Sequence, residues 1–549
     1  MKIRNNTLFI FCLIFFVLGC KIKEKIHEEI YVELTMEYEK EIEQVNSKQS
    51  ASLLHPKLYM DDFDTCFRFI DIGNNMIRSW DFTKNRYIDS FDVALYNHQF
   101  IQDYFFMGKD TVMLAFNTVY FNMQHDNAVV IIDRQKQIID KMSFIGAPVP
   151  LETGQLDTIA LEKKNFFYSD YHYFPLFYYK GATIASLATY GGGCFCVNNT
   201  HPLNIIDNNI YPLGMIYPTS TNTRYKVLNI PLKCAEKNVY YPINFKYVRG
   251  VQNKNRLYYA FGSTPVIYAM NLDNLFIDSS VLAFNTVASI KSYTEKYNEF
   301  FDYLQSEYLD MVYNPFMEEI YWFARLCVDT NSPAIYQNYP IYSFIIIDKN
   351  LQKKGEGFLP VGFSPPIIPY KEGFFAFNRL KSKQERIINY AFFSFSYRKV
   401  TSTYFESEQK KRIDNNTLQK QDYLTDITGK TSGTFLILPL HNMCPTCLSK
   451  TTKFLQNIND ERRLKHDLQI ILTSNDKGKL DNFIDTIHID KFKKLPIYID
   501  SANIIEYYFV EWVNPRLIIL DDNGTIKIDK IYIPNKMNQL FIDIAYRKE

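Results

Sequence analysis

Between residues 56 and 400 one pattern recurs: an apolar strand, a polar turn, then a second strand. It is visible in MIRSWDFTKNRYIDSF (76–91), AVVIIDRQKQIIDKMSF (128–144), PVIYAMNLDNLFIDSSVL (265–282) and IYSFIIIDKNLQKKGEGF (341–358), and less regularly in PLNIIDNNIYPLGMIY (202–217). Other aromatic strands precede these units, such as TVMLAFNTVYF (111–121) and RLYYAFG (256–262). Repeated β units with variable loops are the signature of a propeller of four-stranded blades. With IINYAFFSFSYRKV (387–400) as a sixth unit, the count is six blades. A tandem of β-sandwiches is the alternative, but it leaves the recurring hairpin unexplained.

The composition fits such a chain. Of 549 residues, 47% are hydrophobic and 16% aromatic, with 44 Phe and 41 Tyr, side chains that suit strands and fill large cores. The formal net charge of +1 supplies no basic field for nucleic acid. No apolar run reaches the roughly 20 residues of a membrane span. The β-rich part resembles the six-bladed TolB-like or NHL-like propellers of Bacteroidetes lipoproteins. That resemblance implies a fold and a binding surface, not an activity.

The longest apolar run, Leu8–Leu18, follows Lys2 and Arg4 and precedes Gly19-Cys20, the layout of a secretory signal. Val17-Leu18-Gly19-Cys20 resembles a bacterial lipobox, which implies acylation of Cys20 and a lipid-anchored protein. The expected location is the envelope of a Gram-negative bacterium, at the outer membrane facing the periplasm, with the cell surface as the other option. An ordinary signal with an incidental Cys is the plainer reading. Residues 21–55 are charged and polar and read as a tether, with some helix or an added strand. Residues 401–428 lose their large apolar residues and read as a linker with one exposed helix.

From 429 to 549 the pattern changes to alternating strand and helix: TFLILPL (434–440), CLSKTTKFLQNIND (447–460), DLQIILTS (467–474), DKGKLDNFIDTIH (476–488) and LPIYID (495–500). A hairpin around Asp522-Asn523-Gly524 and an amphipathic helix, NKMNQLFIDIAYR (535–547), complete an α/β sandwich. The expected chain is thus multidomain: signal 1–20, tether 21–55, all-β propeller 56–400, linker 401–428, α/β domain 429–549.

Cys444-Pro445-Thr446-Cys447 follows the first strand of this last unit and opens its helix. A Cys at a helix N-terminus meets the positive end of the dipole and free N–H groups, which stabilise thiolate. A second Cys one turn on can resolve a mixed disulfide. Zinc needs a second ligand pair, and the sequence has no other C-x-x-C; His441, His466 and His488 are scattered. Redox chemistry is favoured over zinc and over an inert structural disulfide, and no metal or separate cofactor is expected.

ITGKTSGTFLILPLHNMCPTC, with VNPRLIILDDNGTI further on, resembles the thioredoxin-like domains of the TlpA/ResA type. The resemblance covers about residues 425–549. It implies a thiol–disulfide oxidoreductase in which Cys444 attacks, Cys447 resolves and Pro515 is the cis-proline beside them. Asn514 presents backbone groups to an extended substrate, and Pro445 and Thr446 complete the groove. It also implies a protein disulfide substrate, a membrane thiol protein as electron donor, and a reductive direction. Three residues depart from the family pattern: Leu438 stands where thioredoxins often bury an acid, Met443 replaces the usual aromatic, and Pro439 lies inside a strand. Glu511 and Lys450 are candidate proton acceptors, each more simply an exposed charge. A peroxidase reading is weaker, because His441 stands where peroxiredoxins carry Thr or Ser.

Five further cysteines, Cys66, Cys194, Cys196, Cys234 and Cys327, are odd in number, so one stays unpaired within a single chain. Cys194, Cys196 and His201 form a weak metal candidate; small buried residues or disulfide partners are the plainer reading. The aromatic run KKNFFYSDYHYFPLFYYK (163–180) is core or, less simply, a ligand face. Beside the oxidoreductase stands a second reading: a propeller-based binding lipoprotein for peptide or glycan, its thioredoxin-like domain secondary, redox-sensing or structural.

Overall fold

The computed structural model describes residues 28–43, 54–60, 65–71, 76–81, 84–93, 100–117, 128–143, 166–168, 177–189, 210–217, 224–231, 248–261, 265–282, 284–287, 306–326, 341–378, 387–440, 445–460, 468–474, 477–487, 495–500 and 515–532, with Leu540 and Ile544. The chain opens on β1 (Glu28–Glu43), and then passes through successive antiparallel meanders. The first comprises β2 (Leu54–Met60), β3 (Thr65–Asp71), β4 (Met76–Asp81) and β5 (Arg86–Asp92). The second comprises β6 (Phe100–Phe106), β7 (Thr111–Asn117), β8 (Ala128–Asp133) and β9 (Ile138–Ser143). In the third, β10 (Phe166–Tyr168) and β11 (Phe177–Tyr179) pair different parts of β12 (Ala182–Thr189), followed by β13 (Ile210–Tyr217) and β14 (Arg224–Pro231).

The fourth comprises β15 (Val248–Asn253), β16 (Arg256–Phe261), β17 (Val266–Asn271) and β18 (Ile277–Val281). The fifth comprises β19 (Glu307–Asn314), β20 (Glu319–Leu326), β21 (Ile341–Ile347) and β22 (Lys353–Phe358). The sixth has only β23 (Phe363–Tyr370), β24 (Gly373–Asn378) and the long β25 (Ile387–Thr401), and β1 supplies its fourth strand. Among the described residues the meanders therefore number six.

They close into a propeller-like ring. The first strands of neighbouring meanders touch: β15 against β19, β19 against β23, and β23 against β2, which joins last to first. Apolar layers fill the gaps between meanders. Ile70, Ile77 and Phe91 of the first pack with Tyr104, Val112 and Val130 of the second. Tyr258 and Ile267 of the fourth pack with Trp322 and Ile345 of the fifth, and Phe67 and Trp80 of the first with Phe375 and Tyr390 of the sixth. Polar clasps span other seams: Thr183 donates to Met113 Sδ at 3.2 Å, and Tyr179 and Lys180 both bind Asp273 at 2.5 Å.

The recurring turn seen in the sequence has a local cause. Asp81, Asp133, Asn271 and Asp348 end the third strands of four meanders, or follow them directly. Each side chain accepts a backbone N–H from Lys84, Gln137, Asp273 and Gln352 respectively, at 2.8–3.0 Å. This is the Asx-type closure of a tight turn. A residue with positive φ then completes each turn: Asn85, Lys136, Leu275 and Leu351. The third unit falls outside the pattern: of 202–217 only β13 is described, and it pairs onward with β14. The sixth, 387–400, is one long strand rather than a hairpin, because its partner comes from the N-terminal segment.

Two segments settle alternatives that the sequence left open, the added strand within 21–55 and the helix within 401–428. Residues 28–43, inside the segment expected to be a tether, pair with β25 along their whole length. Tyr31, Val32 and Ile42 are buried while Glu33, Glu37, Glu39 and Glu41 face solvent, so the charges occupy the exposed positions of a paired strand, on either side of its register shift. Residues 402–428, expected to be a linker with one exposed helix, do form a helix, α1 (Ser402–Thr428), but its Phe405, Tyr423 and Leu424 are fully buried.

The C-terminal unit is a mixed five-stranded sheet. Its strands are β26 (Gly433–Pro439), β27 (Leu468–Thr473), β28 (Ile497–Asp500), β29 (Arg516–Leu520) and β30 (Ile526–Ile531), in the order β28-β27-β26-β29-β30. The first three in that order run parallel, and β29 and β30 are antiparallel additions. Helix α2 (Pro445–Asp460) joins β26 to β27, and α3 (Lys477–Ile487) follows β27. Leu455 and Ile458 of α2 and Leu480, Phe483 and Ile487 of α3 pack on Leu436, Leu438, Ile470 and Leu472. These spacings of three and four set one apolar stripe per helix. The other sheet face, Phe435, Ile437, Ile471 and Ile518, is covered by Tyr423 and Leu424 of α1.

Candidate functional site

The parallel strands β26, β27 and β28 end together, with Pro439 level with Thr473 and Thr473 with Asp500. The backbone continues this alignment, since Leu440 N–H donates to Thr473 O at 2.9 Å. From this end the chain leaves β26 toward Cys444, and Pro445 begins α2. Proline suits a first helical position, where its missing N–H would have no intrahelical partner. Thr446 and Cys447 lie in the same first turn. Cys444 itself lies outside the described residues, as do Asn514 and Glu511.

Pro515 is buried at the head of β29. Arg516 pairs with Ile437, so Pro515 stands one position further toward the end of β26 from which Cys444 departs. Its carbonyl accepts the N–H of Tyr532 at 2.8 Å. The start of α2, with Thr446 and Cys447, thus follows β26, and Pro515 heads the adjacent strand at the same end of the sheet. Pro439 is also explained: the antiparallel ladder with β29 stops at Ile437, so no β29 carbonyl is left without its donor.

Two buried polar groups support this end. Asp500 accepts from Thr473 Oγ1 at 3.2 Å and from the Tyr423 hydroxyl at 3.4 Å, tying α1 to the sheet end. Burial and the neighbouring Asp500 raise the Tyr423 hydroxyl well above its usual range, so it stays a neutral donor. Below, on the antiparallel hairpin, Asp529 takes Arg516 through Nε at 2.5 Å and Nη2 at 2.7 Å, and also pairs with Lys420 of α1. Burial would raise the Asp529 carboxyl, but the two cations outweigh it and hold it well below the usual carboxylate range. Sequence inspection missed both groups, because their partners are distant in the chain. Lys450 is exposed on α2.

The ring offers a second polar locus. Arg249 on β15 is buried, and its Nε lies 3.9 Å from Asp310 Oδ1 on β19. Glu307, three residues before Asp310, pairs with Arg325 of β20. The pairing of β19 with β20 slips between Tyr308 and Met311, so Asp310 sits on a bulge. The surrounding chain desolvates its carboxyl and Glu307 adds to the effect. Against the pull of Arg249, Asp310 is pushed up to about 6.

Among the described residues no group of three or more His, Cys, Asp or Glu is gathered as for a metal ion, and no helix is long and apolar enough to cross a membrane. Cys66 is buried in β3. Cys20, Cys194, Cys196, Cys234, Cys327 and His201 lie outside the described residues, and of 163–180 only the two short strands and the turn after them are described.

No protein-family model and no curated protein matches the sequence. Solved structures do resemble it. A member of the DUF4221 family from Bacteroides vulgatus is 12% identical, with a TM-score of 0.49, over 67% of this chain and 99% of its own. An exported protein described as such from Bacteroides fragilis is 8% identical, with a TM-score of 0.36, over 66% of this chain and 95% of its own. A subtype N10 neuraminidase-like protein from a bat influenza virus is 10% identical, with a TM-score of 0.33, over 66% and 99%.

Proposed function

We propose that this chain is a thiol–disulfide oxidoreductase of the cell envelope, anchored by lipid at Cys20, with the propeller-like ring presenting a partner protein. The observation that carries the reading is that α2 opens at Pro445-Thr446-Cys447 shortly after a central parallel strand, while Pro515 heads the adjacent antiparallel strand at the same sheet end. The strand order, two parallel neighbours on one side and an antiparallel hairpin on the other, agrees with a thioredoxin-like domain.

In this reading Cys444 thiolate attacks one sulfur of a substrate disulfide, and the other sulfur leaves as thiolate. Cys447 thiolate then attacks Cys444 Sγ and releases the second substrate thiol. Two electrons pass to the substrate and a Cys444–Cys447 disulfide remains. A membrane thiol protein restores the dithiol. The helix N-terminus favours the thiolate, and Pro515 with Asn514 shapes the groove.

The test is the reduction potential and insulin-reducing activity of the ectodomain, beside Cys444→Ser. A reversible two-electron couple, with activity lost in the variant, is the expected result. An absent couple together with no insulin reduction refutes a general reductase.

A further inference from the structure

The first half of β1 forms a two-stranded ribbon with the end of β25. Ile30 is opposed by Lys399, Val32 by Tyr397 and Leu34 by Phe395, and the register holds as far as Met36. Directly opposed residues share a face. Ile30, Leu34 and Met36 therefore lie on one side of the ribbon, together with Phe395, Tyr397 and Lys399. Part of this side is core, because Val32 packs with Phe344 and Phe374 between the fifth and sixth meanders. Around that core it reaches solvent. Leu34 and Phe395 are half-buried, and Ile30, Met36 and Tyr397 are 40%, 45% and 48% exposed.

The charges near this strip are sorted. Glu29 and Glu33 alternate onto the opposite side of β1. Glu28, on the apolar side, pairs with Lys399 at 2.8 Å. Lys354 of β22 pairs with Glu319 and lies 5.9 Å from the Tyr397 ring centre. Exposed apolar residues scattered singly are ordinary, but several together on one face mark an interaction surface. At Tyr31, β1 is flanked by both β25 and β22, so this part presents side chains rather than a free backbone edge for an added strand.

The neighbour is set by chain length. Cys20, the proposed site of the lipid, stands eight residues before Glu28. At no more than about 3.6 Å per residue, Glu28 is held within roughly 29 Å of the acylated residue. Met36 lies about 26 Å further along the strand. So short a tether makes contact with the bilayer an intramolecular event, at an effective concentration on the order of millimolar.

We infer that this face of the β1–β25 ribbon rests on the phospholipid surface that holds the anchor. Ile30, Met36 and Tyr397 enter the boundary between headgroups and acyl chains, a level at which tyrosine is favoured. Lys399 reaches the phosphates along its apolar stem, and its exposed pair with Glu28 is weak enough to exchange. The ring then sits on the membrane in one orientation. The inference rests on lipid attachment at Cys20 and not on the redox chemistry.

For the test, the full acylated chain is reconstituted in phosphatidylethanolamine–phosphatidylglycerol vesicles containing a phospholipid with a photoactivatable acyl chain. Cross-links are mapped by mass spectrometry. Ile138 and Ile139 of β9, 55% and 59% exposed, are the internal control, being as apolar and as open but on another meander. Labelling of Ile30, Met36 or Tyr397 about tenfold or more above that control is expected, and Met36→Asp should lower it about fivefold. Thermal melts establish that the variant is folded; if it is not, labelling of the native chain decides. The same spectra show whether Cys20 carries acyl chains. Acylated Cys20 with a ribbon labelled no more than Ile138 and Ile139 overturns the inference and leaves the anchor standing. Unmodified Cys20 overturns both. A concentration-dependent dimer of the Cys20→Ala chain, abolished by Met36→Asp, assigns the face to a second copy and also overturns the inference. None of these readouts passes through the dithiol, so they are separate from insulin reduction.

Discussion

Asp529 shows how much one side chain decides in the C-terminal unit. It is buried, and it forms ion pairs with both Arg516, which is fully buried, and Lys420 of α1. Removing one partner of a buried pair strands the other charge, at a cost of about 3–5 kcal/mol. Asp529→Ala should lose that much in chemical denaturation followed by circular dichroism, and Lys420→Met far less. The pH dependence has a definite sign. The carboxyl is depressed in the folded chain, so its stabilisation is full above the unfolded value near 4 and fades as pH falls below it. Asp529→Asn should therefore lose stability at pH 7 and show a flatter acid limb than the native chain. None of this is legible in IKIDKI, where Asp529 is simply a polar position in a strand. The C-x-x-C motif is legible because it lies within four adjacent residues, whereas Asp529, Asp500 and Asp310 gain meaning only from partners brought by the fold.

The hairpins with an Asp or Asn at the turn could be recognised because strand, acceptor and turn residue are neighbours in sequence. The same locality made α2, α3 and the β29–β30 hairpin readable to within a few residues. Closure of the ring was hidden for the opposite reason: β1 and β25 meet from opposite ends of the ring-forming chain. A shift in register between Met36 and Tyr38 also interrupts the alternation by which a strand announces itself. The seam of β1 with β22 depends on glycine. A Cβ at Gly355 would stand 2.7 Å from Val32 Cγ2, and one at Gly357 would press into the Val32 carbonyl and within 3.2 Å of the Phe344 ring. Between them Glu356 is fully buried and accepts Thr286 N–H at 3.0 Å and Lys353 Nζ at 2.8 Å. Gly357→Ala should thus lower stability by about 1–3 kcal/mol, the usual range for overpacking, as measured by the thermal midpoint of the full chain. A midpoint unchanged by the substitution would show that β1 can move away without loss.

At the scale of the whole molecule the decisive element is α1, about 40 Å long at 1.5 Å per residue. Its first turns belong to the ring: Phe405 packs with Tyr31, Tyr258 and Phe358, and Arg412 lies 4.8 Å from the Phe358 ring centre and donates to Leu359 O at 2.9 Å. Its last turns belong to the C-terminal sheet through Lys420, Gln421, Tyr423 and Leu424. One continuous helix therefore ties the C-terminal sheet to the ring. The polar surface of residues 401–428 concealed this, because a helix that buries only a few large residues at each end looks like a linker in composition. It follows that a fragment cut at the apparent boundary, 429–549, lacks half of its core cover. Phe435, Ile437, Ile471 and Ile518 would face water, and at roughly 1.5–3 kcal/mol for each such side chain that loss exceeds what a small domain can spare. Fragment 402–549 keeps Tyr423 and Leu424 and should melt in a single sharp transition, while 429–549 should bind hydrophobic dyes and aggregate. Equal melting temperatures for the two fragments would mean that α1 rests on the sheet without stabilising it, and the helix would then not fix the sheet to the ring.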